Sequence, residues 1–211
     1  MLNQKLVTLT PEKRHYNCPL PLIALSGGIA TGKSSVSKFL NEKNIRTICA
    51  DQMIKTIYQK DQTFDFIKTT FPQVITNDQI SFEALRSLAF NNPKHLEKLE
   101  NFLYPQMEEI FSDNLVQFQE QGFVVYDVPL LYEKNLYQKV DFHICVYSPR
   151  SLQIERLIKR DGTTTQLAEK ILQSQMDIEK KKSLSNYIVD NSGDLEHLQK
   201  SCQKLLDFLV M

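Results

Sequence analysis

The run Gly27-Gly28-Ile29-Ala30-Thr31-Gly32-Lys33-Ser34 constrains this chain more than any other segment. It fits G-x-x-x-x-G-K-[ST], and its flanks fit as well. The apolar LIALS (22–26) reads as a buried strand before it, and Val36, Phe39 and Leu40 recur at helical spacing after it. Glycines allow the tight turn and let backbone N–H groups approach phosphate oxygens closely. The following helix aims its positive N-terminus at the anion. From there Lys33 can reach β- and γ-phosphates, and the Ser34 hydroxyl can ligate Mg²⁺. The motif in this context predicts a nucleoside triphosphate site on an α/β fold.

The rest of the chain repeats the alternation. IRTICA (45–50), FVVYDV (123–128), VDFHICVY (140–147) and NYIVDN (186–191) read as further strands. With helical segments between them they predict a parallel, doubly wound five-stranded sheet. From about 61 to 121 the pattern is mainly helical, with a stripe of Phe82, Leu85, Leu88 and Ala89. Asn92-Pro93 opens another helix, Tyr104-Pro105 is expected to interrupt it, and Gly122 to close it. Ser148-Pro149 is expected to cap a helix start, and Leu195, Leu198, Cys202, Leu205 and Leu209 to form the inner face of the last helix. Residues 1–20 are mixed polar, lack the apolar core of a signal peptide, and read as a poorly ordered arm.

Charge excludes some functions. The 211 residues carry 25 Lys+Arg against 25 Asp+Glu, so no general footprint for nucleic acid or anionic membrane exists. No apolar run approaches the ~20 residues that span a bilayer. Cys18, Cys49, Cys145 and Cys202 are dispersed, which suits a reducing cytosol, and neither they nor the four histidines have metal-ligand spacing. Lys180-Lys181-Lys182 reads as a solvated turn. No guanine-selecting N-K-x-D follows a late strand.

Three further groups carry chemistry. Asp51, at the end of the second strand, can orient or deprotonate an attacking hydroxyl, or simply cap the next helix. Asp127 closes FVVYD, which has the form of a Mg²⁺-serving Walker B carboxylate, although such runs end many strands. Gln153, Arg156 and Arg160 share one helix face, either as a phosphate clamp or as a solvated face paired with Glu155 and Asp161.

From Leu22 onward, GGIATGKSS, Ala50-Asp51, LRSLAF, VPLLYE (128–133), QIERLIKRD and DNSG together resemble the dephospho-coenzyme A kinase family. The resemblance implies a three-layer P-loop NTPase fold, with a core (22–51 and 122–211), a helical acceptor-binding insertion (about 52–121) and a small lid (about 150–178). Residues 1–21 are an extension outside the pattern. It implies ATP-dependent phosphorylation of the 3′-hydroxyl of dephospho-coenzyme A, with Mg²⁺; the cysteine usage adds a cytoplasmic location, and a monomer is expected with an oligomer left open. By the same resemblance Gly28, Ile29, Ala30, Thr31, Gly32, Lys33, Ser34 and Ser35 hold ATP phosphates, and Ser34 and Asp127 the metal. Asp51 is the base, Arg160 with Arg156 steadies the transferred group, and Arg86, Pro129, Leu130 and Glu133 lie on the acceptor side. The chain departs from the pattern at Cys49, Tyr104, Asn186 and Ser81-Phe82. Two other readings compete: a different small-molecule kinase of the same fold, and a nucleotide-gated regulator without turnover.

Overall fold

The computed structural model describes residues 1–210, apart from the side chain of Phe90, the last residue of LRSLAF. Strand β1 (Leu22–Gly27) leads through the glycine loop into α1 (Lys33–Glu42), and β2 (Thr47–Cys49) runs directly into α2 (Ala50–Tyr58). Next come α3 (Asp61–Thr70), β3 (Ile75–Thr76), β4 (Gln79–Ile80), α4 (Phe82–Asn91) and α5 (Pro93–Asn114). The remainder is β5 (Val124–Asp127), β6 (Phe142–Tyr147), α6 (Arg150–Asp161), α7 (Thr165–Gln173), α8 (Ile178–Leu184), β7 (Tyr187–Asp190) and α9 (Leu195–Leu209). No helix among the described residues is long and apolar enough to cross a membrane.

The chain forms two compact units. The first comprises Met1–Cys49 and the chain from Asn114 onward, and holds a sheet of order β2-β5-β1-β6-β7 with every pair parallel. A parallel sheet must be covered on both faces, which explains why its strands read as continuous apolar runs. Ile23, Leu25, Val125 and Ile144 pack on one face against Val36 and Leu40 of α1 and Leu198 and Leu205 of α9. Ala24, Tyr126 and Cys145, with the opposite pleat, are equally buried. Because β1 is central, its loop emerges in the middle of the carboxyl edge, between the ends of β5 and β6. Leu25 lies opposite Asp127, and Gly27 opposite Val146.

Residues 1–20 are packed rather than poorly ordered. Leu2 and Leu6 join the core cluster beneath α9, and the Asn3 amide donates to the Leu209 carbonyl at 2.8 Å. Arg14 is buried, with Nε 2.6 Å from Asp141 Oδ2, and Asp141 also accepts the amides of Thr8, Leu9 and Leu22. His15 then stacks beside Tyr126 on the opposite face. The arm thus wraps the amino edge of the sheet, opposite the phosphate loop.

The second unit, Ala50–Asp113, contains α2 to most of α5 and the β3–β4 hairpin, around Ile57, Ile67, Phe71 and Phe111. The hairpin, absent from the sequence reading, turns on Asn77 and Asp78, both left-handed, as a two-residue loop requires. Asn92 caps α5 by accepting the Lys94 amide. Helix α5 continues through Pro105 instead of breaking there, because Leu99, Leu103, Met107 and Phe111 bury one unbroken stripe across it. It ends at Asn114, and Gly122 closes a later turn, donating to the Phe118 carbonyl. Two apolar assignments also fail: Phe82 is half exposed with its ring edge-on to Tyr58, and Leu195 is 69% exposed at the start of α9.

Candidate active site

The phosphate loop is built by pulling its carbonyls outward. The Gly27 carbonyl accepts from Lys181 Nζ at 3.3 Å, and the Gly28 carbonyl accepts from the Thr31 hydroxyl at 2.9 Å. The Ile29 carbonyl accepts from Gln153 Nε2 at 2.6 Å, and the Thr31 carbonyl from Asn191 Nδ2 at 2.8 Å. With the carbonyls so held, the amides of Ile29, Ala30, Gly32, Lys33 and Ser34 have no hydrogen-bond acceptor among the described residues. Five free donors at the N-terminus of α1 form a ready site for an anion.

The glycines are sterically required. At Gly32 φ is +88°, and an added Cβ would strike the Asn191 amide. At Gly28 it would lie 2.5 Å from Gln153 Nε2. Ala30 also holds a left-handed φ of 59°, a strained conformation for a residue with a Cβ.

Lys33 and Asp127 are ion-paired, and Ser37 Oγ donates to the other Asp127 oxygen at 2.9 Å. Asp127 is almost fully buried, while Ser34 and Ser35 are exposed on the first turn of α1. Ser34 and Asp127 offer hard oxygen donors of the kind Mg²⁺ takes alongside substrate phosphates, so the residues fit that ion. Among the described residues no three His, Cys, Asp or Glu side chains gather to hold a metal by themselves.

Helix α6 presents its polar face inward as far as Arg156. Gln153 is buried against the loop, and Arg156 donates to Ser148 Oγ at 2.8 Å and to the Asn191 carbonyl at 3.0 Å. Ser148 Oγ in turn donates to the Asn191 carbonyl at 2.7 Å, so it does not cap α6, whose N-cap position is Pro149. Arg156 therefore braces the wall behind the phosphate loop. Arg160 is exposed and forms a two-pronged pair with Asp161 at 2.6 and 2.9 Å. Helix α6 ends on Gly162 in the left-handed conformation, and the Thr164 hydroxyl caps α7.

After β5 the segment VPLLYE turns with Leu131 and Tyr132 buried and Leu130 exposed. Tyr132 Oη lies 3.2 Å from His143 Nδ1. Burial pushes the Tyr132 phenol well above its usual range and lowers the His143 imidazole, so both are neutral near pH 7. Glu133 Oε1 accepts the Met176 amide at 2.9 Å and pairs with Lys181 at 2.8 Å. The three lysines at 180–182 are thus not a solvated turn. They lie on α8, with Lys181 fully buried and Lys182 Nζ 3.9 Å from the Tyr147 ring centroid.

In the second unit, Asp51 is the second residue of α2, exposed and without a hydrogen bond or ion pair among the described residues. It sits inside the first turn, not at the N-cap position. Arg86 is exposed on α4. Gln153, Asn191, Ser148 and Lys181 were missed by sequence reasoning as builders of the loop. The polar pair Gln153 and Arg156, three residues apart on the inward face of α6, was the available signal.

A phosphate loop on the central strand of a five-stranded parallel sheet, with its lysine held by a carboxylate on the neighbouring strand, defines a P-loop kinase fold. The family model described as dephospho-CoA kinase (CoaE) matches residues 21–197. A dephospho-CoA kinase of Sulfurimonas denitrificans is 36% identical over 187 residues, covering 88% of this chain and 92% of that one. Another, of Fusobacterium nucleatum, is 33% identical over 88% of this chain and 97% of its own length. The crystal structure of TT1252 from Thermus thermophilus superposes with a TM-score of 0.82 at 23% identity, covering 91% of this chain and 99% of that one, which shows the shared fold. The chain belongs to the dephospho-CoA kinase family, and ATP is the phosphoryl donor of such kinases.

Proposed function

We propose that this protein transfers the γ-phosphoryl group of ATP to the ribose 3′-hydroxyl of dephospho-coenzyme A, giving coenzyme A and ADP. The observation that carries the reading is the set of five unpaired loop amides beside the Lys33–Asp127 pair, in a chain of this family. The five free amides of Ile29, Ala30, Gly32, Lys33 and Ser34 bind phosphate oxygens, and Gly28, Thr31 and Ser35 complete the loop around them. Lys33 exchanges its carboxylate partner for the β- and γ-phosphates when the triphosphate enters. Ser34 and Asp127 would hold Mg²⁺, which neutralises charge on the phosphates.

Asp51 takes the proton as the 3′-oxygen bonds to phosphorus and the bond to the departing ADP breaks. Its exposure and lack of a competing partner support that role. Arg160, released from Asp161, steadies the transferred group, and Arg156 helps by bracing the loop. Residues of about 150–178 act as a lid, whose closure excludes water. Arg86, Pro129, Leu130 and Glu133 contact the acceptor. The reading includes a monomeric enzyme in the cytoplasm; four free cysteines, three of them buried, suit a reducing compartment. A coupled ADP-release assay with dephospho-coenzyme A, AMP, adenosine and shikimate tests it. Turnover confined to dephospho-coenzyme A supports the reading, and turnover on another acceptor alone contradicts it.

A further inference from the structure

Lys181 is the one lysine of this chain whose whole side chain is withdrawn from solvent among the described residues. Its ammonium has three donors, and all three are used. Nζ reaches the Gly27 carbonyl at 3.3 Å, the Pro129 carbonyl at 3.0 Å and Glu133 Oε1 at 2.8 Å. These acceptors belong to the entry of the phosphate loop and to both ends of the turn Pro129–Glu133. Glu133 Oε1 also accepts the Met176 amide, which ties the turn to the start of α8. Glu133 Oε2 is buried and has no partner. A buried carboxylate oxygen kept by an ion pair, yet left with a free lone pair, is set to accept a further hydrogen bond.

We propose that Lys181 is a positioning residue for the acceptor. It holds the Pro129–Glu133 turn in register with the phosphate loop, with Glu133 Oε2 presented to a donor group of the acceptor substrate. This rests on the reading above that the turn faces dephospho-coenzyme A. The phosphate loop does not depend on Lys181 alone, because Gln153, Asn191 and Thr31 hold its other carbonyls. Losing Lys181 therefore affects the two substrates unequally.

The test compares Lys181→Met, Lys181→Gln and wild type by steady-state kinetics with dephospho-coenzyme A and ATP varied separately, and near-ultraviolet circular dichroism confirms folding. The expected result is a rise of roughly tenfold or more in KM for dephospho-coenzyme A, the scale of one charged hydrogen bond, with KM for ATP within about threefold of wild type. Lys181→Gln, which keeps an N–H₂ donor and comparable length, is expected to recover part of the loss and carries the same split if the methionine variant does not fold. Equal losses for both substrates, or unchanged kinetics in a folded variant, would overturn the proposal. Wild-type activity on dephospho-coenzyme A is the control. If it is absent the function assigned above fails, whereas a wild type that turns over beside a variant with no substrate split removes Lys181 alone.

Discussion

Replacing Asp141 with Asn attacks the clasp that holds the amino-terminal arm. The carboxylate is buried, receives Arg14 Nε and Nη2 at 2.6 and 3.2 Å, and takes three backbone amides between 2.8 and 2.9 Å. An asparagine has one acceptor oxygen for these five donors, turns an N–H₂ group towards the rest, and leaves the Arg14 guanidinium buried and uncompensated. Breaking a buried pair from one side costs about 3–5 kcal/mol. At about 2–4 °C per kcal/mol for a chain of this size, the melting temperature should fall by roughly 6–20 °C. Differential scanning calorimetry reads this directly. The double variant Arg14→Met/Asp141→Asn should recover part of the loss, since no charge remains buried. Burial alone would raise the Asp141 carboxyl, but the hydrogen bonds from Arg14 and from the amides of Leu22, Leu9 and Thr8 outweigh it and hold it below the usual range. A depressed carboxyl stabilises fully above its unfolded value of about 4, and that contribution drains away as pH falls through the folded value. The gap between wild type and Asp141→Asn should therefore be widest near neutrality and close only in acid. A variant melting within about 2 °C of wild type at pH 7 would refute the clasp.

Asp51→Asn should lower turnover by about 10²–10⁴ while KM for ATP changes little, and first-turn charge loss should cost no more than about 1 kcal/mol; normal turnover would leave the mechanism without its base. Gly32→Ala must place a Cβ at φ +88° against the Asn191 amide, and should raise KM for ATP at least about tenfold, as read by the same coupled assay. Lys33→Ala and Arg160→Ala should each lose two or more powers of ten in kcat with little change in melting temperature, because neither fills core volume.

Legibility from sequence followed the range of the interactions. The five strands announced themselves as apolar runs, most clearly the central β1, β5 and β6, where a covered parallel sheet needs no polar alternation, and the loop glycines announced positive φ and close approach. The residues that shape the loop did not, since their partners are far along the chain. Gln153 reaches back 124 residues to Ile29, Asn191 160 residues to Thr31, and Lys181 154 residues to Gly27. The lysine triplet looked like surface because charge in a window says nothing about a carboxylate 48 positions earlier. The arm looked loose for a similar reason. It carries no motif, its apolar residues are interleaved with polar ones, and its main anchor is Asp141, 127 residues from Arg14. Pro105 misled in the opposite direction: the local penalty for proline in a helix was outweighed by one continuous buried stripe.

The central claim is tested most directly by incubating wild-type protein with ATP, Mg²⁺ and dephospho-coenzyme A and identifying the product by phosphorus NMR. The account predicts one new phosphomonoester on the ribose 3′-oxygen, formed in equal amount to ADP. ADP released without a phosphorylated acceptor, or phosphate appearing at any other hydroxyl, would contradict it.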